Sequence, residues 1–460
     1  MRKLLLLIAW SVVSISLSIA QKKQPNILII MTDQQFADAM SCVMGDEYLS
    51  TPNMDYLAAN GVRFARAYSP NPLCTPMRTS MMTGEFPHQT RIQTNNDKKN
   101  FVAEDHTYMG KVFEEAGYET GYFGKWHVAI DEEFNDIHGF NVYNEEHGRL
   151  DSDPVTEFLK KKHNKPFLAF ASFLSPHEVC QWARKEELPG EPLGELPSLE
   201  KLPPLKVNFG IPQNETDIEA YMRKSYQANR RFTVGDYTDA DWRRLRWGYY
   251  RLIERADMFV GEVVSALRES GQMENTIVVF LSDHGDCAGS HHWNQKTVFY
   301  DESTRVPLII SWKDNVPTAT SNVLVNTGLD LFPTLCDMVG IQIPSGLEGR
   351  SLKSIALGNQ ATLDREFLVV ENHMIQGDPI EGISLQPHGR MVRSDNFKYC
   401  VYSEGEARES LVDMQFDPQE MVNQARNPIY LSVLEEHRAL LRKHADATDD
   451  RIAMEMLKDL

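Results

Sequence analysis

Four polar clusters stand directly behind short apolar runs. Residues 26–31 (NILIIM) lead into Thr32-Asp33-Gln34, and residues 276–281 (TIVVFL) into Ser282-Asp283-His284-Gly285. Tyr122-Phe123 leads into Gly124-Lys125-Trp126-His127, and residues 167–173 (FLAFASF) into Ser175-Pro176-His177. One Asp behind a strand is usually a helix cap. Four such stations point instead to one site, because open α/β sheets bind ligands at the carboxyl ends of their strands. Asp33 and Asp283 offer hard carboxylate oxygens and Gln34 a carbonyl oxygen, a set that suits Ca²⁺ or Mg²⁺ better than zinc. Arg78, Lys125, His127, His177 and Lys296 add cationic and proton-donating groups. A divalent cation ringed by such groups fits a tetrahedral oxyanion, sulfate or phosphate. Cys74 is the candidate nucleophile. Pro76 and Gly84 bracket a short helix behind it, and the free N–H groups at such a helix start favour anions.

These residues need a sheet to hold them. The runs named above, with residues 306–312 (VPLIISW), are continuously apolar, as strands buried on both faces of a parallel sheet must be. Helical spacing separates them at residues 53–60, 108–116, 247–270 and 329–339. The alternation predicts a doubly wound α/β domain. Residues 188–212, rich in Pro, Glu, Gly and Leu, form an irregular insertion, either a solvated loop or a wall of the substrate cleft. From about Arg365 the pattern changes to antiparallel strands at 366–371, 389–393, 399–402 and 409–412, followed by a helix carrying Leu431, Leu434 and Leu441. The division expected is a leader at 1–20, a catalytic domain at 21–364 and a smaller C-terminal α+β subdomain at 365–460.

Among 460 residues, 65 Asp and Glu oppose 47 Lys and Arg, for a net charge of −18. That balance argues against nucleic acid as a partner, yet a local cationic cleft can still take an anion. Met1-Arg2-Lys3, the apolar stretch to Ala20 and the small residues Ser18-Ile19-Ala20 have the form of a cleaved signal peptide. No later stretch is long and apolar enough to span a bilayer, so a periplasmic or secreted protein without stable membrane insertion is expected. The six cysteines show no CxxC pair, which speaks against a zinc knuckle. If Cys74 has another task, at least one of the remaining five is unpaired.

Cys74, Pro76 and Arg78, followed by Thr83-Gly84, have the spacing C-x-P-x-R-x-x-x-x-T-G, which resembles the signature of the type I sulfatases of the alkaline-phosphatase-like superfamily. Residues 52–58 (PNMDYLA), 121–127 (GYFGKWH), 282–285 (SDHG), 390–399 (RMVRSDNFKY) and 411–423 (LVDMQFDPQEMVN) also resemble that family, and the likeness extends over nearly the whole chain from Pro25. The resemblance implies a doubly wound mixed sheet flanked by helices, with a C-terminal antiparallel sheet and helix. It implies that a maturation enzyme oxidises Cys74 to formylglycine, whose gem-diol attacks sulfur and then expels sulfate. By the same resemblance Asp33, Gln34, Asp283 and His284, with the modified Cys74, would hold one Ca²⁺. Arg78 would orient the gem-diol, Lys125 and Lys296 would bind sulfate oxygens, His127 would assist the hydroxyls, and His177 would protonate the leaving oxygen. Three positions depart from the usual family pattern: Gln34 for Asp, His284 for Asn, and Glu85 for Arg. The expected substrate is a sulfated polysaccharide or its oligosaccharides, with His88, Arg91, Arg149, His291, His292 and Trp293 as candidate sugar contacts, on loops that equally suit packing. The competing readings are a phosphatase or phosphodiesterase of the same superfamily and a non-catalytic protein that binds sulfated glycan.

Overall fold

β1 (Asn26–Asp33) is central because its run is apolar on both faces. Ile27, Ile29 and Met31 point into one hydrophobic core, and Leu28 and Ile30 into the other. The structure, a computed structural model, describes residues 24–143, 150–229, 231 and 234–460. The leader-like residues 1–20 and Arg149 lie outside the described residues.

Among these, β2 (Gly61–Tyr68), β3 (Glu119–Gly124), β4 (Asn141–Tyr143), β5 (Phe167–Pro176), β6 (Thr276–Ser282), β7 (Leu308–Ser311) and β8 (Ala319–Asn326) join β1 in one sheet. Its order is β4-β3-β5-β1-β6-β7-β2-β8. β1 pairs in parallel with β5 and β6, while β7 runs antiparallel to both its neighbours. The sheet is therefore mixed, and residues 306–312 are the strand that departs from the parallel expectation. The helix Asp239–Glu269 covers one face with Leu252, Ala256, Val260, Val263 and Leu267. Helices Cys74–Thr83 and Thr327–Val339 cover the other with Met77, Met81, Leu331 and Leu335.

The helix spacing predicted at 247–270 begins eight residues earlier, at Asp239. Asp239, Asp241, Arg243, Arg244 and Arg246 hide the apolar period there, but a capping box starts the helix: Thr238 Oγ1 accepts the Asp241 N–H at 3.3 Å. The insertion at 188–212 runs along this helix, with Arg243 donating to Pro203 O and Arg255 to Pro189 O. All six cysteines are free.

A second sheet, β9 (Phe367–His373), β10 (His388–Ser394), β11 (Phe397–Tyr402) and β12 (Glu409–Asp413), is antiparallel in the order β12-β11-β10-β9. The helix Leu431–Thr448 packs Leu434 and Leu441 against it. β9 docks on the first domain, where Glu371 N donates to Pro70 O at 2.9 Å and Asn372 Nδ2 to Thr297 O at 2.7 Å. Beside that seam His88 donates from Nδ1 to Glu371 Oε1 at 2.5 Å and from Nε2 to Thr448 O at 3.1 Å.

Burial pushes the His88 imidazole down, but Glu371 and Asp450 outweigh it and raise its pKa from 6.5 to about 9. A raised histidine pKa stabilises the fold fully below its unfolded value, and that contribution is lost as pH climbs through the folded value. The Tm gap between the native protein and His88→Gln should therefore be largest near about pH 6 and shrink by about pH 10. Melting curves at the two pH values check this, and a gap independent of pH would refute it.

Candidate active site

The carboxyl ends of β1, β6, β3 and β5 converge on the start of the Cys74–Thr83 helix. That helix is buried along its whole length. It ends at Gly84, whose φ of 74° lies in the left-handed region glycine adopts without strain. Burial of the helix turns Arg78 inward, where each guanidinium nitrogen finds an acceptor. Nε donates to Asp283 Oδ2 at 2.9 Å and Nη2 to Asp33 Oδ2 at 3.0 Å. Nη1 donates to Lys125 O at 2.7 Å, Ser172 Oγ at 2.9 Å and Tyr122 OH at 3.2 Å. The guanidinium thus bridges two fully buried carboxylates.

Above this bridge lies Cys74, 1% exposed. Its Sγ is 3.1 Å from His284 Nε2, 3.4 Å from Lys296 Nζ and 3.8 Å from Lys125 Nζ. Lys125 also donates to Asp33 Oδ2. Burial and Asp33 push the Cys74 thiol up, yet Lys125, Lys296 and His284 outweigh them and hold it well below 9.0. Burial also opposes ionisation of Asp33, but Lys125 beside it, with Arg78, keeps that carboxyl well below its ordinary value.

His127 and His177 complete the rim. Each is half-buried and each has a buried Nδ1 without a hydrogen-bond partner. Burial lowers the pKa of both, and Lys125 and Lys296 lower His177 further, so its resting imidazole is neutral near pH 7.

The donor chemistry fits a divalent cation. Asp33, Cys74, Asp283 and His284 each offer one donor atom, all within 4.8 Å of one another. Asp33 Oδ1 is buried and accepts no hydrogen bond. His284 donates from Nδ1 to Gly285 O at 3.0 Å, which turns Nε2 toward the cluster. Burial opposes charge on this ring, but Asp283 outweighs it and raises its pKa, so a cation would displace the Nε2 proton to gain that ligand. Gln34 Oε1 accepts from Lys296 Nζ at 2.7 Å.

The structure thus brings Asp33, Gln34, Cys74, Arg78, Lys125, His127, His177, Asp283, His284 and Lys296 to one strand edge. It does not do so for several expected sugar contacts. His88 is committed to Glu371. His291 is buried and stacked on Tyr300 at 3.7 Å, and Trp293 is 2% exposed against Tyr226. His292 packs edge-on to Trp242. Sequence reasoning missed Tyr122 and Ser172, which hold Arg78, and Asp286, which holds Gln34. Asp286 could have been noticed as the second acid in Ser282-Asp283-His284-Gly285-Asp286.

A large mixed sheet with paired carboxylates and a buried, Cys74-bearing helix at its carboxyl edge defines an alkaline-phosphatase-like hydrolase. Within that class the chain belongs to the sulfatase family, whose model matches residues 25–341, and it is a sulfuric ester hydrolase. Residues 289–447 also match the model described as N-sulphoglucosamine sulphohydrolase, C-terminal. The chain is 30% identical over 457 residues to a Delta 4,5-hexuronate-2-O-sulfatase of Bacteroides thetaiotaomicron, covering 94% of this chain and 90% of that one. It is 30% identical over 437 residues to an ulvan-active sulfatase of Formosa agariphila, covering 91% and 81%. A solved 2-O GAG sulfatase superposes with a TM-score of 0.80 at 28% identity, covering 93% of each chain.

Arg78→Ala would strand two buried carboxylates, and breaking such a bridge costs about 3–5 kcal/mol. Arg78→Lys keeps the charge but cannot span both acids, so it should recover only part of that loss. Urea unfolding of the two variants checks the order.

Proposed function

We propose that the chain removes sulfate from a sulfated glycan, using formylglycine made from Cys74 and one bound Ca²⁺. The observation that carries this reading is the charge around Cys74. Arg78, Lys125 and Lys296 face two carboxylates and the Cys74 sulfur, so the buried charges of the unmodified site nearly cancel. Replacing the thiolate by a neutral aldehyde and adding a divalent cation would leave a strongly positive pocket, which suits an anionic sulfate ester. Formylglycine supplies, as its hydrate, a nucleophile that can also shed the sulfate it has accepted. Calcium held by Asp33, Gln34, Asp283 and His284 supplies positive charge to oxygens beside that nucleophile.

The chain's own residues do the rest. Lys125 and Lys296 bind sulfate oxygens, since their ammonium groups already flank Sγ. Arg78 holds the two carboxylates apart and oriented. His127 takes a proton from the nucleophile's hydroxyl. His177 starts neutral, and the negative charge of a bound sulfate raises its proton affinity, so that it can protonate the leaving oxygen. A two-zinc phosphatase site would need further acidic or histidine ligands on these flanks, where the two lysines stand instead.

Beside the nucleophile a polar cleft of about 490 Å³ is lined by Leu73, Asn95, Asn229, Arg231, Gln376 and Asp378. Asn95 ties it to the site by accepting the Thr75 N–H at 3.1 Å. Amides and a carboxylate suit sugar hydroxyls, and Arg231 suits an acidic sugar. With the activity named for the Bacteroides thetaiotaomicron relative, this makes a 2-O-sulfated hexuronate the first substrate to try. Burial of the entire Cys74–Thr83 helix means that a maturation enzyme must read the Cys74 motif before folding. Among the described residues no helix is long and apolar enough to cross a membrane. The leader-like residues 1–20 support export to the periplasm or medium.

Protein made in a host that matures sulfatases should yield an Ala67–Arg78 peptide with the mass of an aldehyde at position 74. It should release sulfate from an unsaturated 2-O-sulfated disaccharide, and Cys74→Ala should reduce turnover to background. Unconverted Cys74 beside a fully converted control sulfatase, or a preference for aryl phosphate over aryl sulfate, would overturn the proposal.

A further inference from the structure

A primary amide beside a cation is ambiguous: its oxygen attracts the ion, its NH₂ repels it, and the two ends are nearly equal in size. At Gln34 this ambiguity is resolved from behind. Nε2 donates to Asp286 Oδ2 at 2.6 Å. Oε1 is thereby turned to Lys296 Nζ at 2.7 Å, the same ammonium that touches Cys74 and His284. Asp286 is 1% exposed, and its other oxygen accepts the Ala288 N–H at 2.7 Å. Both carboxylate oxygens are therefore acceptors, and neither can offer Gln34 a donor. Cys180 Sγ at 3.7 Å and Gln295 Oε1 at 3.5 Å also accept from Nε2, and the Cys180 thiol in turn donates to Gln295 Oε1 at 3.3 Å.

We propose that Asp286 is a positioning residue that locks the Gln34 amide with its oxygen toward the cation pocket and polarises it. The inference rests on the metal reading given above. A hydrogen bond from an amide to a buried anion is charge-assisted, and it shifts electron density toward the amide oxygen. Gln34, neutral by itself, then presents an oxygen carrying part of the charge of a carboxylate that never enters the pocket. Asp286 bonds Gln34 and Ala288 and meets the pocket through the Gln34 amide, as partners behind a metal ligand commonly do.

Asp286→Asn keeps the size of the side chain and the oxygen that accepts from Ala288, but it faces Gln34 with an NH₂. The Gln34 amide must then turn over and present its own NH₂ to Lys296 and to the cation. Adding Gln34→Glu to that variant restores the match. One oxygen of the carboxylate at position 34 can then accept from the amide at position 286, while the other faces the pocket.

The test is Ca²⁺ affinity by isothermal titration calorimetry, with the Ca²⁺-induced rise in Tm as a second readout, on metal-free protein of full length. Asp286→Asn should bind Ca²⁺ about 10–100-fold more weakly than the native protein, and Asp286→Asn/Gln34→Glu should regain most of the loss. Unchanged affinity in Asp286→Asn would overturn the role of Asp286. So would a loss that the double variant fails to recover, because the defect would then belong to the loop at Ala288. If the single variant does not fold, a folded double variant that binds Ca²⁺ supports the proposal, and an unfolded one overturns it. A native protein with no Ca²⁺ response would overturn the metal reading itself, and this inference with it.

Discussion

One guanidinium holds the site together. Asp33 and Asp283 stand on adjacent parallel strands whose ends are in register at Thr32 and Ser282, so two carboxylates are forced side by side in a space without solvent. Alone they would repel and one would take up a proton. Arg78 meets both, and its remaining donors reach the Lys125 carbonyl and Tyr122 on the β3 side and Ser172 on β5. A single side chain is therefore sensitive to the register of four strands. Its own position depends on Met77 and Met81, which bury the helix in the core under the sheet. Packing of apolar side chains on one face of that helix is thus converted into the placement of charge on the other.

The C-terminal sheet serves the same end. Its edge strand β9 holds the Pro70 carbonyl, four residues before Cys74, and the Thr297 carbonyl, one residue after Lys296. Cys74 and Lys296, the proposed nucleophile and sulfate ligand, lie on separate segments beside the large sheet, and the second sheet fixes one against the other. This accounts for the burial of His88, Glu371, Arg390 and Asp450 at the seam. Arg390 pairs with Asp450 at 2.6 Å and with Glu371 at 3.4 Å, so the acids that dock His88 are neutralised without a metal ion.

Strands whose signal is apolar and local were legible in the sequence, and those whose signal is tertiary were not. β1, β5 and β6 follow directly from their runs. β2 escaped notice because Arg63 and Arg66 interrupt GVRFARAY, and Arg66 is accommodated only through Asp395, which lies 329 residues away. β8 is an edge strand with an exposed first half, ATSN, and carries no continuous apolar run. Nine of the ten residues proposed for the site stand at the end of a strand or in the first turns of the Cys74–Thr83 helix, whereas Lys296 lies on a loop and was placed only by the order of the family motifs. Asp286 was visible as a second acid in the 282–286 run, but its role was not, since that depends on Gln34, a partner 252 residues distant. His291 and Trp293 were ambiguous in the sequence: polar and aromatic types on a loop suit sugar contacts and packing alike, and their rings prove to hold that loop in place.

The loop needs holding. Between Ala288 and Thr297 the backbone is left-handed at Ala288, His291, His292, Gln295 and Thr297, with φ between 46° and 74°. Such conformations cost non-glycine residues energy and persist only where surrounding contacts over-determine them. Those contacts are present. His291 stacks on Tyr300, Asn208 Nδ2 bonds the His291 ring at 3.2 Å, Gln227 Nε2 donates to His292 O at 3.0 Å, and Trp293 is sealed in a core with Tyr226. Lys296 sits near the end of this segment with its ammonium already placed between Gln34, His284 and Cys74. A lysine on a free loop would lose side-chain and backbone entropy each time it met an anion. Here that loss occurs once, on folding, and is offset by aromatic packing away from Cys74, so in the proposed role of Lys296 the ammonium would meet an anion in a geometry that binding does not have to create.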